Sequence, residues 1–486
     1  MKRLFICTLM TLGILASLSA ANPYGGKVTC NGKGVPGVIV TDGIDCVTTG
    51  KDGAYTLERN RGARFIYLST PAGYQVACKN KTIGQFYQKI DPANEVYNFE
   101  LAKNRIDDKK HLFTVQADPQ VTSEKEIALY GKYLDDMNAY LKQYRGKTDL
   151  FSIDCGDIVG DSPQLFPAYI DTVAKLGMPV YRAIGNHDMT YGGRSWQYSF
   201  KTFEEYFGPS NYSFNKGKAH YIVINNNFYV NRDYQYIGYV DESILAWMEQ
   251  DLKYVPADHL VFVIAHIQIS TEKELEWNTL HQDETSNARA LFDLLEGREV
   301  HFLTGHSHFN HNVCFTDRMM EHNTTAACGI WWKSELSMDG TPAGYGVYEV
   351  DGNRVKWLYK SAGQPDGYQF RAYPAGSSDE YPADILANVW NWDELWRVEW
   401  MEDGKVMGKM THYTGYDPLA AKICADKSIV EYDWINPIHT RHMFRATPKN
   451  PKAKLEVKVT DRFGNVYPQD RKSTRLNSSH LAISYA

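Results

Sequence analysis

The sequence predicts a layered α/β domain between two β domains. In the middle of the 486-residue chain, short apolar runs alternate with helical stretches, which indicates strands buried on both faces of a sheet. On either side, apolar and polar residues alternate with period two, as in hairpins that expose one face. We therefore place an N-terminal β-sandwich at residues 22–103, the α/β domain at 107–363 and a second β domain at 382–468.

The composition limits the classes of function. Hydrophobic residues make up 43% of the chain and charged residues 23%, which is ordinary for a globular protein. The 52 basic and 58 acidic residues give a net charge of −6, and no dense stripe of Lys and Arg occurs. This excludes a nucleic-acid scaffold. An anionic substrate would have to be attracted locally, for instance by a metal.

Residues 1–21 predict a secretory signal peptide. Lys2 and Arg3 precede an apolar run from Leu4 to Leu18, and small residues follow up to Ala21. The run is too short for a good membrane-spanning helix. We expect cleavage near Ala21 and an exported protein, periplasmic or secreted, without a membrane span after cleavage.

The last segment, residues 471–486, is rich in Ser, Thr and Asn and follows none of the preceding patterns. It resembles translated adaptor sequence, so we expect it to be a non-native tail.

The cysteines predict neither a disulfide framework nor a zinc–thiolate site. Eight are present, one of them in the predicted signal peptide, and the others show no C-x-x-C spacing. In an oxidising compartment, Cys30 with Cys46 and Cys314 with Cys328 remain candidate pairs.

Hairpins punctuated by glycine predict the N-terminal domain. Alternating runs cover Val38–Val40, Tyr55–Leu57 and Phe65–Leu68, and Asp52-Gly53 supplies a turn between two of them. The size suits a small sandwich of prealbumin or carboxypeptidase-regulatory type. Such modules serve as spacers or binding appendages, and no catalytic cluster occurs in this region.

Short apolar runs predict the buried strands of the central domain. They are His111–Ala117, Leu150–Cys155, Met178–Ile184, Tyr221–Ile224, Leu260–Ala265 and Val300–Thr304. Helices separate several of them. Ser123 and Glu126 form a capping box before the first helix. Asp241 caps a second helix that runs through Tyr254, and a third covers residues 284–297.

Period-two patterns return in the C-terminal domain. Residues 396–400 alternate before the turn Asp403-Gly404, and residues 455–459 alternate in the same way. Four tryptophans of this region suit either core packing, the commoner use, or a sugar-stacking platform. They are Trp390, Trp392, Trp396 and Trp400.

Polar side chains follow most of the central runs, at the point where each predicted strand ends. They are Asp118, Asp157, Asn186 with His187, His266, and His306 with His308. The carboxyl ends of strands build the sites of α/β sheets, so chance does not explain the whole set. The remaining histidines, such as His220, are interpreted as structural.

Aspartate, asparagine and imidazole ligands without thiolate suit divalent Mn, Fe, Zn or Mg. Two metals share such a set most simply if one carboxylate bridges them, about 3.5 to 4 Å apart, so that they activate a hydroxide and neutralise phosphoryl oxygens. The residues therefore predict in-line attack at phosphorus.

Five ordered blocks resemble those of the calcineurin-like metallophosphoesterase superfamily. They are Asp118-Pro119-Gln120, Gly156-Asp157, Gly185-Asn186-His187-Asp188, His266 and Gly305-His306-Ser307-His308. The flanking β domains resemble, more loosely, the accessory domains of an exported bacterial branch. The resemblance implies that the central α/β domain is a four-layer sandwich.

The resemblance also implies a role for each residue. On the first metal it places Asp118, Gln120 and His308, with Asp157 as the bridge, and on the second Asn186, His266 and His306. His187 would contact the scissile phosphate and help to protonate the leaving oxygen, while Asp188 would hold its imidazole.

Position 120 departs from the commonest pattern of the superfamily, in which the first block is D-x-H. Gln120 offers a neutral amide oxygen or leaves the position to water. This favours Mn or another hard divalent ion over a tightly held Fe/Zn pair, although Fe and Zn remain open.

Residues after the third and last blocks are candidates for substrate binding. Arg194 is a candidate phosphate clamp, with a solvated loop arginine as an even alternative, and Trp196 would wall the pocket beside it. Trp331 and Trp332 suit stacking on a base, sugar or lipid headgroup, and core packing fits them at least as well.

These features predict an exported phosphoesterase with two divalent metal ions, which hydrolyses phosphomonoesters or phosphodiesters through a metal-bound hydroxide. Its partner is a phosphate-ester substrate, and the β domains are candidates for contact with envelope glycan. The alternative is a non-catalytic glycan-binding protein with a vestigial central fold. Retention of every ligand block and of His187 argues against that alternative.

Overall fold

Two mixed β-sheets lie face to face at the centre of the molecule, with helices outside them and β domains at both ends of the chain. The structure is a computed structural model that describes residues 22–276, 279–450 and 452–467. The predicted signal peptide and the predicted non-native tail lie outside these residues.

The N-terminal part consists of short strands. They are β1 Tyr24–Cys30, β2 Lys33–Gly34, β3 Ile39–Thr41, β4 Cys46–Thr48, β5 Ala54–Leu57, β6 Phe65–Ser69, β7 Tyr74–Gln75, β8 Cys78–Lys79, β9 Ile83–Gly84, β10 Tyr87–Lys89, β11 Phe99–Glu100 and β12 Ala102–Lys103. One sheet has the order β11-β1-β2 with β5 paired to β1, and a second has the order β10-β6-β3-β4. Their shared apolar core includes Val28, Leu57 and Ile66, so this part is the predicted sandwich.

Strands and helices alternate in the central part. The strands are β13 Lys110–Gln116, β14 Asp149–Asp154, β15 Val180–Arg182, β16 Tyr212–Lys216, β17 Ala219–Val223, β18 Asn227–Asn231, β19 Gln235–Gly238, β20 Leu260–Ile264, β21 Glu299–Thr304, β22 His311–Cys314, β23 Met319–Asn323, β24 Gly344–Asp351 and β25 Arg354–Ser361. The helices are α1 Glu124–Leu141, α2 Phe166–Val173, α3 Trp196–Ser199, α4 Lys201–Phe207, α5 Glu242–Leu252 and α6 Ala288–Leu294.

The two central sheets contain the predicted strands, with ends shifted by at most two residues. The first sheet has the order β15-β14-β13-β24-β25, in which β13, β14 and β15 run parallel. The second has the order β16-β17-β20-β21-β23-β22, in which β17, β20, β21 and β23 run parallel. The carboxyl ends of the parallel strands therefore share an edge within each sheet.

Aromatic rings fill the space between the sheets around Phe113, which is fully buried. Within its own sheet Phe113 stacks on Phe151 and Tyr348, with ring centroids 5.0 and 4.9 Å away. Across the interface it meets Phe262 edge-on at 5.2 Å. Stacked and edge-to-face rings add to the free energy of apolar burial, so this cluster fixes how the sheets face each other.

Helices cover the outer faces and complete four layers. Tyr130 and Leu134 of α1 pack with Ile170 of α2 against the first sheet. Trp247 of α5 and Leu291 of α6 pack against the second sheet. Because each sheet is covered on both faces, its strands are mostly apolar, and polar side chains such as Asp154 and Glu321 are buried with hydrogen-bond partners. The four-layer α/β sandwich that the resemblance implied is confirmed.

Two of the predicted helices begin where expected, and the third does not. Ser123 caps α1, and Asp241 caps α5, which ends at Leu252. The helix predicted over 284–297 begins only at Ala288, because the carboxylate of Glu284 accepts hydrogen bonds from the loop at residues 270–271 instead.

Two further sheets make up the C-terminal part. Its elements are β26 Arg371–Tyr373, β27 Ile385–Asn388, β28 Arg397–Glu402, β29 Lys405–Lys409, β30 Thr411–Gly415, α7 Pro418–Ala425, β31 Thr440–Ala446, β32 Leu455–Thr460 and β33 Val466–Tyr467. The sheet orders are β26-β27-β31-β30 and β29-β28-β32-β33. Trp390, Trp396 and Trp400 are buried, so these three serve the core and offer no face to a sugar. Trp392 is half-buried against His412.

The cysteine pairs left open by the sequence are not bonded. All seven cysteines within the described residues are free, including Cys30, Cys46, Cys314 and Cys328. Five of the seven are buried and two are half-buried, which agrees with their use as small apolar side chains.

Replacement of Phe113 tests the aromatic contact between the sheets. We expect Phe113→Ala to lower the free energy of unfolding by about 3–5 kcal/mol, because it leaves a cavity among Phe151, Tyr348 and Phe262. The midpoint of urea unfolding measures this. Val406→Ala, at a residue that is 57% exposed, should change stability by no more than about 0.5 kcal/mol. Equal midpoints for the two variants would contradict the assignment.

Candidate metal centre

The site predicted from the sequence forms at the carboxyl ends of β13, β14, β15, β20 and β21. The loops after these strands come from both central sheets and meet at one edge of the sandwich. They bring together every residue predicted as a metal ligand. The set comprises Asp118, Gln120, Asp157, Asn186, His266, His306 and His308.

His266 is the centre of one group of donor atoms. Its Nδ1 lies 2.8 Å from the carbonyl oxygen of Cys155, and this hydrogen bond assigns the ring proton to Nδ1. The other nitrogen, Nε2, faces the remaining donor atoms. It lies 3.0 Å from Asn186 Oδ1, 3.2 Å from Asp157 Oδ2 and 3.1 Å from His306 Nδ1. The candidate ligand atoms of Asp157, His266 and His306 all lie within 4.8 Å of one another.

A second group lies beside the first. His308 Nε2 is 3.6 Å from Asp118 Oδ1, and the other oxygen of Asp118 accepts a hydrogen bond from the backbone of His306 at 3.0 Å. Gln120 lines the same cavity as His308. Its Oε1 is buried and has no hydrogen-bond partner among the described residues, so it is a free oxygen donor.

Divalent cations fit both groups. Burial raises the pKa of Asp118 well above its usual range, and burial lowers the pKa of His308 to about 3, so that its imidazole is neutral. Carboxylate oxygens, amide oxygens and ring nitrogens that face one another at these distances need a positive charge among them. The donor set lacks thiolate and suits borderline to hard metals.

Most of the predicted ligands have a left-handed backbone. Their φ angles are 52° at Asp118, 43° at Gln120, 50° at Asp157, 73° at His306 and 57° at His308. Side chains other than glycine occupy this region at a cost of about 1–3 kcal/mol each, and they cluster where a functional site fixes them. The loops are therefore held by their surroundings in a conformation that they do not prefer locally.

Two glycines allow the second and third blocks to approach each other. A Cβ atom on Gly185 would lie 2.1 Å from the backbone nitrogen of Asp157, and one on Gly156 would lie 2.9 Å from Nδ1 of His266. Gly156 also has a φ of 100°, which favours glycine. Side chains at these positions would separate Asp157 from Asn186.

His187 also lines the cavity, and Asp161 holds its imidazole. His187 Nδ1 lies 2.8 Å from Asp161 Oδ2, and the backbone nitrogen of His187 donates to Asp157 Oδ1 at 2.8 Å. Burial lowers the pKa of His187, but the carboxylates of Asp157 and Asp161 outweigh burial and raise that pKa to about 9. With Nδ1 bonded to Asp161, Nε2 is the atom left to contact a substrate.

The prediction that Asp188 holds this imidazole is wrong. The carboxylate of Asp188 accepts hydrogen bonds from the backbone nitrogens of Gly185, Ile158 and Val159, at 2.9 to 3.2 Å. Residues adjacent in a helical turn point in different directions, so Asp188 cannot follow the side chain of His187. Its carboxylate instead ties the second block to the third. The signal that could have found Asp161 is its position four residues after Asp157 on one loop.

A cavity of about 490 Å³ opens over the two groups of donors. Aromatic side chains line part of it, namely Tyr236, Phe309 and Trp331, and the carboxylates of Asp283 and Glu284 lie at its wall. Among the described residues that line it, none is a lysine or an arginine. Positive charge in this cavity therefore has to come from bound cations or protonated histidine.

Of the four predicted substrate-binding residues, Trp331 alone lines the cavity. Trp332 donates from Nε1 to the carbonyl oxygen of Pro119 at 3.0 Å and is half-buried against the core. Trp196 stacks on Phe228 at 4.9 Å. Arg194 is exposed and does not line the cavity, so the solvated-loop alternative fits it. The phosphate-clamp and wall predictions are thus wrong for Arg194 and Trp196.

Two aromatic residues that line the cavity were not predicted from the sequence. Tyr236 comes from the hairpin of β18 and β19, which is not part of either central sheet. Phe309 follows the last block directly. An aromatic residue one position after His308 was a signal in the sequence, whereas nothing in the local pattern of the hairpin points to the site.

Three family models match most of the chain between residues 22 and 467. The model described as calcineurin-like phosphoesterase matches residues 111–310. Models of the N-terminal and C-terminal parts of calcineurin-like phosphoesterase match residues 22–104 and 321–467. The chain belongs to the calcineurin-like phosphoesterases. It is a hydrolase of phosphoric esters that depends on divalent metal ions, and its substrates are phosphate esters.

Several solved structures are similar over part of the chain. A dimetal phosphatase from Danio rerio is 11% identical, with 52% of this chain and 96% of that chain covered and a TM-score of 0.38. A purple acid phosphatase from yellow lupin is 12% identical, with 68% of each chain covered and a TM-score of 0.38. The NAD nucleotidase of Haemophilus influenzae is 12% identical, with 74% of this chain and 87% of that chain covered and a TM-score of 0.28. Scores at this level support no inference about the site.

Comparison with curated protein sequences gave no match. Among the helices of the described residues, none combines the length and the apolar character needed to cross a membrane.

Asp161 and Asp188 are distinguished by substitution. We expect Asp161→Asn to lower kcat on a phosphate ester roughly 10- to 100-fold while metal content stays constant, because the charge that orients the imidazole of His187 is lost. We expect Asp188→Asn to lower the unfolding midpoint, because an amide NH₂ would face backbone donors. Kinetics, metal analysis and urea unfolding check these outcomes, with the exposed Asp258→Asn as the control. If Asp161→Asn kept full activity, the role of Asp161 in orienting His187 would be refuted.

Proposed function

We propose that this chain is an exported phosphoesterase that hydrolyses phosphomonoesters or phosphodiesters at a site for two divalent ions. The observation that carries the proposal is the convergence of Asn186 Oδ1, Asp157 Oδ2 and His306 Nδ1 on His266 Nε2, all within 3.2 Å. Such a set of oxygen and nitrogen donors suits a divalent cation.

The donor atoms divide between two ions in the way that the family resemblance implies. Asp118, Gln120 and His308 would hold one ion, and Asn186, His266 and His306 the other, with Asp157 between them. Divalent ions bound at such a site supply Lewis-acid chemistry, which neutralises phosphoryl charge and makes water a better nucleophile.

His187 is the residue of the chain that we assign to proton transfer. Asp161 fixes Nδ1 of its imidazole, which leaves Nε2 free toward the cavity. Its raised pKa, about 9, keeps the ring protonated at neutral pH. From Nε2 it can donate a hydrogen bond to the phosphoryl group and then a proton to the leaving oxygen.

Gln120 bears on the identity of the metal. Its free amide oxygen is a hard, neutral donor, which favours Mn over a tightly held Fe or Zn ion at the first position. Elemental analysis of protein purified without chelator tests this preference. A stoichiometric Fe/Zn pair would overturn it.

Export rests on the sequence of residues 1–21, with its basic start and its apolar run from Leu4 to Leu18. The mass of the mature protein recovered from the producing cell tests it. A protein that begins near Asn22 supports export, and a protein that retains Lys2 and Arg3 contradicts it.

Hydrolysis is tested directly on two model esters. We expect protein supplied with Mn²⁺ to hydrolyse p-nitrophenyl phosphate, bis-p-nitrophenyl phosphate or both, and we expect chelator to abolish the activity. The ratio of the two rates distinguishes a monoesterase from a diesterase. If the protein binds metal but turns over neither ester, the alternative of a glycan-binding protein with a vestigial site gains support.

Two substitutions separate proton transfer from metal binding. We expect His187→Asn to keep the metal content and to lower kcat roughly 10²- to 10⁴-fold, the range for loss of a general acid. We expect Asp157→Asn to lose metal as well as activity, since its carboxylate lies between the two groups of donors. Metal analysis and kcat are measured on the same samples. Wild-type activity of His187→Asn would refute its assigned role.

A further inference from the structure

A row of aromatic side chains leads from the donor atoms to the surface. Trp331 stacks on the imidazole of His308, with ring centroids 4.6 Å apart and an interplanar angle of 25°. Trp434 meets Trp331 edge-on at 4.6 Å, and Tyr432 stacks on Trp434 at 5.5 Å. We call Trp331, Trp434 and Tyr432 the aromatic row.

The outer members of the row are exposed although they are large and apolar. Trp434 is 58% exposed and Tyr432 is 41% exposed. The next residue, Ile435, is fully buried in a cluster with Ile330, which immediately precedes Trp331. An aromatic side chain held in solvent by a buried neighbour retains a free face, and exposed apolar surface that continues into a cavity marks a binding site.

The row is braced across the two parts of the chain that form it. Lys333 Nζ lies 2.9 Å from Glu431 Oε1, and the backbone nitrogen of Ile438 donates to the carbonyl oxygen of Met338 at 3.2 Å. Met338 lines the cavity. Segment 430–438 is thereby attached at both ends to the loop that carries Trp331, so a ligand meets the aromatic faces already in position.

The charge of the cavity limits what the row can bind. Asp283 and Glu284 lie at the wall, and the described residues of the lining include no lysine or arginine. Further phosphate groups on the leaving group would lie near these carboxylates, and Lys333 at the outer end of the row is already paired with Glu431. An uncharged group avoids this repulsion, and a ring gains from stacking on tryptophan.

We propose that the aromatic row binds an uncharged ring in the leaving group of the substrate. The proposal deepens the proposed function and rests on it. The substrate is then a phosphate ester of a ring-bearing neutral alcohol, either a sugar or an aromatic alcohol, and not a polyphosphate.

The test uses pairs of ligands that differ in the ring. Phenylphosphonate and methylphosphonate, which cannot be hydrolysed at phosphorus–carbon by this chemistry, are titrated by calorimetry into metal-loaded protein. We expect wild type to bind phenylphosphonate more tightly. Trp434→Ala should reduce the ratio of the two affinities roughly 5- to 10-fold, the scale of one aromatic contact.

Two variants serve as controls. Trp434→Phe keeps a ring in the row and should retain most of the preference for phenylphosphonate. Tyr416→Ala removes an exposed aromatic residue of the same C-terminal part that contacts His439 and lies outside the row, and it should retain the full preference. If Trp434→Ala keeps the wild-type ratio, or if Tyr416→Ala loses as much, the proposal is overturned.

Kinetics distinguish the source of the ring and separate this proposal from the proposed function. Phenyl, glucosyl and ethyl esters are compared, as mono- or diesters according to which class wild type hydrolyses. A larger loss of kcat/KM in Trp434→Ala on the glucosyl ester than on the ethyl ester assigns a sugar, and a loss confined to the phenyl ester assigns an aromatic ring. Equal losses of kcat/KM on all three esters contradict the role of the aromatic row and leave the proposed hydrolysis intact. Absence of any turnover and of phosphonate binding in wild type overturns both.

Discussion

The oxygen and nitrogen donors that converge at the ends of the central strands are the constraint around which this protein is built. Around His266 Nε2, an amide oxygen, a carboxylate oxygen and a second imidazole nitrogen lie within 3.2 Å. Donors at these distances need a positive charge among them, from a bound cation or a protonated imidazole. The loops stay in place because the sheets beneath them are rigid. Phe113 and its stacked neighbours join strands of both sheets in a dry interface.

The same sandwich explains why the donors lie only at strand ends. Each central sheet is covered by helices on one face and by the other sheet on the second face, so a charged side chain within a strand is buried and takes its partners from the chain, as Asp154 does from Tyr169 and Gln116. Polar side chains that are free to bind a ligand lie where the chain leaves the sandwich. There the chain turns sharply, and Asp118, Asp157 and His306 adopt left-handed backbone angles. At about 1–3 kcal/mol each, these conformations need the apolar burial of the sheets to offset them.

The burial of both faces of each sheet determines what the sequence could predict. Strands buried on both faces leave unbroken apolar runs, and the polar residue after each run was therefore visible as a candidate ligand. The pairing of His187 was not visible, because adjacency along the chain suggested Asp188 while the turn directs that carboxylate to three backbone nitrogens. Asp161 lies on the loop after β14 and bonds the imidazole of His187 on the loop after β15. The prediction that Trp196 walls the pocket was wrong for a similar reason. Its ring stacks on Phe228 of the hairpin, and no local sequence pattern predicts that contact.

The wall of the cavity also depends on contacts that the sequence does not reveal, here between residues far apart along the chain. Trp331 and Trp434 are separated by about a hundred residues, and they touch because Ile330 and Ile435 share one buried cluster with α7. Burial of Ile435 determines where its neighbour Trp434 lies, so a contact far from the metal ligands positions a side chain next to the cavity. A C-terminal β domain that acted only as a spacer would not need such an attachment. Its attachment to the loop of Trp331 makes the shape of the cavity depend on how that domain is folded, which links the stability of the β sheets to the binding of the leaving group.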